Sequence, residues 1–86
     1  MTPASSATVK LFAALRDAAD TAEVTVPAPA SLADVLIALE GRFGERFAAR
    51  LEIAAVMVDG VPVDNPTEVS IAPGAEIALL PPFAGG

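Results

Sequence analysis

Eighty-six residues bury roughly 60% of the surface their unfolded chain exposes, enough for one modest core and no second domain. With no Cys and no His, the chain offers no thiol nucleophile, no imidazole base and no soft metal ligand, which argues against a free-standing enzyme or a resident metal. Eleven acidic residues against five basic ones give a formal charge of −6, which repels nucleic acid and anionic membrane surfaces. The same balance serves simple solubility, so it is used only to exclude.

The hydrophobic fraction of 53% is largely alanine. No window approaches the run of about 18 apolar residues a spanning helix needs, so a soluble, cytoplasmic protein is expected. Residues 1–7, "MTPASSA", have neither a basic start nor an apolar centre and read as a disordered leader rather than a secretion signal.

"TVKLFAAL", Thr8 to Leu15, alternates: Val9, Leu11 and Ala13 point one way, Lys10, Phe12 and Ala14 the other, which predicts the first strand. "RDAADTA" is polar and turn-like. In "EVTVPAPA" Val24 and Val26 share a face before Pro27 and Pro29 end pairing, so the two segments predict an antiparallel hairpin. "SLADVLIALEGRF" follows, with Ser31 as N-cap and Asp34 as its acidic capping partner. Leu32, Val35, Leu36, Leu39 and Phe43 recur at helical spacing. Gly41 and Gly44 loosen the end of this main helix, and "ERFAARLE" extends it by a further turn or two.

In "IAAVMVDGVPV" the pair Asp59-Gly60 lies between two short apolar runs, the composition of a two-residue hairpin turn. "DNPTEV" is a turn-rich crossing. Pro73-Gly74 marks another turn, and Glu76 to Leu80 the last strand. The order strand, strand, helix, then two or three strands places one helix across one face of a small mixed sheet and predicts an α+β domain over residues 8–80. If Ile77 and Leu79 face the helix, Ala78 and Leu80 point outward. Should the first and last strands be neighbours, Phe12, Ala78 and Leu80 then form an uncovered apolar patch beside the root of the tail.

That tail is "PPFAGG", residues 81–86. Pro81-Pro82 cannot donate ladder hydrogen bonds and favours extended geometry, so it pushes the following residues away from the body. Ala84-Gly85-Gly86 is narrow enough to thread a channel and deliver the terminal carboxylate. A pair of terminal glycines is also what a frayed end looks like. The rigid Pro-Pro before it favours the first reading.

The segments "LFAALRD", "VDG", "APGAEIALLPP" and "PPFAGG" resemble the β-grasp sulfur carriers of the ubiquitin-like superfamily, the MoaD/ThiS family, and within it the small subunits of molybdopterin synthase. The similarity runs from about Val9 to Gly86. The sequence carries Phe83 where members more often have Val, and Asp59 where they more often have Asn.

The resemblance implies a β-grasp fold with a flexible Gly-Gly tail and a chain that binds no cofactor. Its Gly86 is adenylated with ATP by a ubiquitin-activating-like adenylyltransferase, and a sulfur donor protein converts it to a thiocarboxylate. The thiocarboxylate then enters the large synthase subunit, in a heterotetramer of two small and two large subunits, and gives sulfur to a cyclic pterin precursor of the molybdenum cofactor. Pro81, Pro82, Phe83, Ala84 and Gly85 form the tail, and Phe12, Ala78, Leu80 and Phe83 the partner surface. Carriers for thiamin thiazole or cysteine synthesis, a protein modifier ending in an isopeptide bond, and an inert interaction module remain open alternatives. Arg42, Arg46 and Arg50, at i, i+4 and i+8, form a docking stripe or a solvated face. Arg16 and Asp17 occupy the family's Arg-acid position and receive no role.

Overall fold

The computed structural model describes residues 5–82. The first strand, β1, spans Ser6–Leu11, beginning two residues inside the segment expected to be a leader and stopping short of Phe12. Ala7, Val9 and Leu11 are buried and the residues between them are not, so the alternation extends one step further towards the amino terminus than the sequence suggested.

The predicted continuation of β1 through Leu15, and the turn after it, are corrected. Ala13 takes φ 51°, the chain reverses, and Ala14–Ala19 form the short helix α1. Leu15 and Ala19, one helical turn apart, are its buried residues. The charges of Arg16, Asp17 and Asp20 gave the segment its turn-like look, yet they occupy exposed positions of the same short stretch.

Strand β2, Glu23–Pro27, then pairs antiparallel with β1, with Val9 opposite Val24. The predicted pairing is therefore present, with a helix in place of the hairpin turn. A two-residue strand, β3, covers Ala30–Ser31 and leads into the main helix α2, Leu32–Phe43. The Ser31 hydroxyl caps it by accepting the Asp34 N–H at 3.1 Å. The reciprocal bond from the Asp34 carboxylate is not among the described hydrogen bonds. Leu32, Val35 and Leu39 are fully buried, while Leu36 and Phe43 pack half-buried at the edge of the core.

Gly44, at φ 91°, does more than loosen the helix end. It separates α2 from a distinct helix α3, Glu45–Glu52, whose Phe47 and Leu51 are buried. The rings of Phe43 and Phe47 meet across the break, 5.1 Å between centroids. Strands β4, Ala55–Val58, and β5, Val61–Val63, form the expected hairpin about Asp59 and Gly60, at φ 51° and 82°. A single 3-10 turn at Pro66–Glu68 leads to β6, Ser70–Ile71, which pairs with β3, and the Pro73-Gly74 turn leads to β7, Glu76–Leu80.

The main sheet has the order β2-β1-β7-β4-β5, with β1 and β7 parallel at its centre and the other pairs antiparallel. The core lies between one face of this sheet and the helices. Val9, Phe47, Ile71, Ile77 and Leu79 have no solvent exposure, and burying each such side chain contributes roughly 1.5–3 kcal/mol. Among the described residues no polar side-chain atom is buried without a hydrogen-bond partner.

Candidate functional site

Central β7 fixes the geometry of the other sheet face. Its pairing sets Lys10, Ala78, Met57 and Pro62 in one row across β1, β7, β4 and β5. One row nearer the tail, Leu80 lies beside Ala55, and the Phe12 N–H donates to the Leu79 carbonyl at 3.2 Å, which brings Phe12 alongside. Ile77 and Leu79 are buried against the helices, so Ala78 and Leu80 point outward as their parity requires. Phe12 is 39% exposed.

The three residues named from the sequence thus come together. The structure adds Ala55, Met57 and Pro62, which sequence reasoning missed. Their alternation about Asp59-Gly60 was readable, but nothing local shows that β4 pairs with β7.

The strip has a polar boundary. Lys10 Nζ lies 3.1 Å from Glu76 Oε2, both side chains about half exposed. The hydrogen bond to the Glu76 carboxylate, then its charge, and more weakly that of Glu23, hold the Lys10 ammonium above the usual lysine range. Asp59 ties the β4–β5 turn to the start of β7: its Oδ1 accepts the Glu76 N–H at 2.9 Å and its own N–H donates to the Glu76 carbonyl at 2.8 Å. The apolar part of the face therefore lies at the end where β7 runs into Pro81 and Pro82. Phe83, Ala84, Gly85 and Gly86, the remainder of the expected tail, lie outside the described residues.

Arg42, Arg46 and Arg50 do not form a single helical line, because Gly44 interrupts it. The Arg42 guanidinium stands over the Phe43 ring, 5.2 Å from its centroid, while Arg46 and Arg50 belong to α3. Among the described residues there is no group of three or more His, Cys, Asp or Glu placed to hold a metal, and no helix long and apolar enough to cross a membrane.

This sheet, its crossing helix and the strand that feeds a carboxyl-terminal tail define a ubiquitin-like protein of the β-grasp fold. The chain belongs to the ThiS family, whose model matches residues 9–86. Among solved structures it is similar to SAMP1, a small archaeal modifier protein of Haloferax volcanii, at 30% identity and a TM-score of 0.77, covering 94% of this chain and 99% of that one. A putative molybdopterin converting factor subunit 1 from Pyrococcus furiosus has the same fold at 21% identity and a TM-score of 0.78, covering 92% and 99%. So does a chain in the complex of subunits 1 and 2 of the molybdopterin-converting factor from Helicobacter pylori, at 22% identity and a TM-score of 0.72, covering 94% and 99%. No curated protein matches the sequence. The functional class is accordingly that of a ubiquitin-fold carrier or modifier of the ThiS type.

Proposed function

We propose that the protein is a sulfur carrier that works through the carboxylate of Gly86, with the large subunit of molybdopterin synthase as the receiver of its sulfur. The observation that carries this reading is the uncovered apolar strip of Phe12, Ala55, Met57, Ala78 and Leu80, which runs to the point where Pro81-Pro82 leaves the sheet. A partner that covers the strip meets the chain where Pro81-Pro82 leaves the sheet.

The tail's chemistry begins from a poor electrophile. The Gly86 carboxylate attacks the α-phosphorus of ATP on an activating enzyme, forming an acyl-phosphate bond and releasing pyrophosphate. A hydrosulfide equivalent from a sulfur donor protein then attacks the acyl carbon, AMP leaves, and a thiocarboxylate remains. Neither step asks a side chain of this protein for acid, base or nucleophile, in keeping with a chain that has no Cys and no His. The narrow Ala84-Gly85-Gly86 tip suits entry into both active sites.

The second reading is a protein modifier, favoured by the 30% identity to SAMP1. The two readings share the adenylate and part at the nucleophile, sulfide in one and a lysine amine in the other.

The test is to incubate the full chain with ATP, the activating enzyme and sulfide, and to weigh it. The carrier gains the mass of one oxygen-to-sulfur exchange, and its thiocarboxylate disappears on addition of the large synthase subunit and the pterin precursor. Conjugates on lysine with no sulfur transfer establish the modifier instead. Deleting Gly86 abolishes activation with the melting temperature nearly unchanged, and a truncated chain that is still adenylated with release of pyrophosphate removes both readings.

A further inference from the structure

The tail root has a second side. On the helical face, Ala14 and Leu15 of α1, Arg50 of α3, Ile53 at the end of α3, and Pro81 and Pro82 enclose a recess of about 70 Å³, open to solvent and walled mainly by carbon. Leu15 forms a buried wall, whereas Ile53 is 53% exposed, one of the few large apolar side chains outside the core to be so. Arg50 stands at this recess and makes no ion pair among the described residues. In a protein of net charge −6, a guanidinium with no ion pair among the described residues, beside an apolar recess, offers a local site for a carboxylate.

We propose that this recess is a second docking point for the enzyme that activates the tail, receiving one aliphatic side chain with a neighbouring carboxylate that pairs with Arg50. The inference rests on the proposed role of Gly86 in activation. Any protein that takes the tail must pass Pro81 and Pro82, and those prolines line the recess on one side as the strip of Phe12 and Leu80 ends on the other. The tail is thus gripped at its root from two faces. Lining selects the occupant: a shallow recess walled mainly by carbon favours an aliphatic side chain over a polar one. Charge sets its neighbour, since a guanidinium recognises a planar carboxylate through two parallel hydrogen bonds.

The experiment measures steady-state activation of the full chain by its ATP-dependent activating enzyme, following pyrophosphate release against carrier concentration. Arg50→Glu and Ile53→Asp raise KM for the carrier at least tenfold with kcat within twofold, while Arg50→Lys lies between Arg50→Glu and wild type. Arg46→Glu, one helical turn away on α3, carries the same charge change and stays within twofold of wild type.

Unchanged KM in both Arg50→Glu and Ile53→Asp overturns the proposal, as does an equal loss in Arg46→Glu, which reduces the effect to net charge. A lowered KM makes Phe83 of the same chain the occupant and also overturns it. An elution volume that differs between wild type and Ile53→Asp assigns the recess to a second copy, with the same consequence. Should Arg50→Glu melt well below wild type, Ile53→Asp alone decides, because that side chain is already more than half exposed. Failure of the wild-type chain to be activated at all is a different result: it removes the proposed function and this inference with it.

Discussion

Leu79 and Leu80 are the same residue type, adjacent in the same strand, with opposite fates. Leu79 has no solvent exposure, locked between the sheet and the helices, while Leu80 is half-buried on the face that no described element covers. The difference extends across the sheet: Val9, Leu11 and Ile77 line the core side, and Phe12, Ala55, Met57 and Ala78 the open side. Composition does not separate the two faces, since both are apolar near the tail. What separates them is that one is filled by the helices and the other is covered by no described element, so one side of β7 contributes folding energy and the other, under the proposed function, contributes binding energy.

The sharpest way to break this contrast is to empty the filled face. Leu79→Ala leaves a cavity at the centre of the sheet and costs about 2–5 kcal/mol of stability, read by chemical denaturation. A cost near zero means the core is not organised around β7.

On the open side the expected loss moves from stability to binding. Leu80→Asp removes apolar area and adds a charge, so affinity for the large synthase subunit falls at least about tenfold, equivalent to about 1.4 kcal/mol, while the variant melts close to wild type. Unfolding of this variant places Leu80 in the core, and normal binding with a normal melt assigns docking to another surface.

A smaller loss is expected at the β4–β5 turn, which positions Met57 and Pro62 on the open face. A Cβ built on Gly60 meets nothing within 4 Å, so Gly60→Ala isolates the backbone cost of φ 82° in an L-residue, roughly 1–2 kcal/mol at most. Denaturation measures it, and a neutral result shows that the turn relaxes.

The smallest effect belongs to Ile37, 64% exposed on α2. Ile37→Lys stays within about 0.5 kcal/mol of wild-type stability and leaves activation unchanged. A substantial loss of activation would move a partner surface onto the helical layer, away from the sheet.

Much of the fold could be read along the chain because its signals are local. Ser31 before a 3.6-residue stripe marked α2, Asp59-Gly60 marked a turn that needs positive φ, and the alternation of Glu76 to Leu80 gave the parity of β7. Charge density misled at Arg16 to Asp20, where the burial of Leu15 and Ala19 outweighed polar composition and made a helix. At Gly44 the pattern of apolar residues continued while the backbone did not, so one helix became two and the arginine line was broken.

The sequence by itself determined which residues can be buried, where the chain can turn and which side-chain types are at hand, because these depend on composition and near-neighbour spacing. Tertiary pairing decided the rest. Only the parallel alignment of β1 with β7 brings Phe12 to Leu80, only the β4–β7 ladder adds Ala55 and Met57, and only the packing of α1 and α3 beside Pro81 and Pro82 makes the recess at Arg50. Those contacts join residues dozens of positions apart, and hydrophobic burial, which drives them, is non-directional. The partners are selected by how the whole core fills, which no local stretch of sequence records.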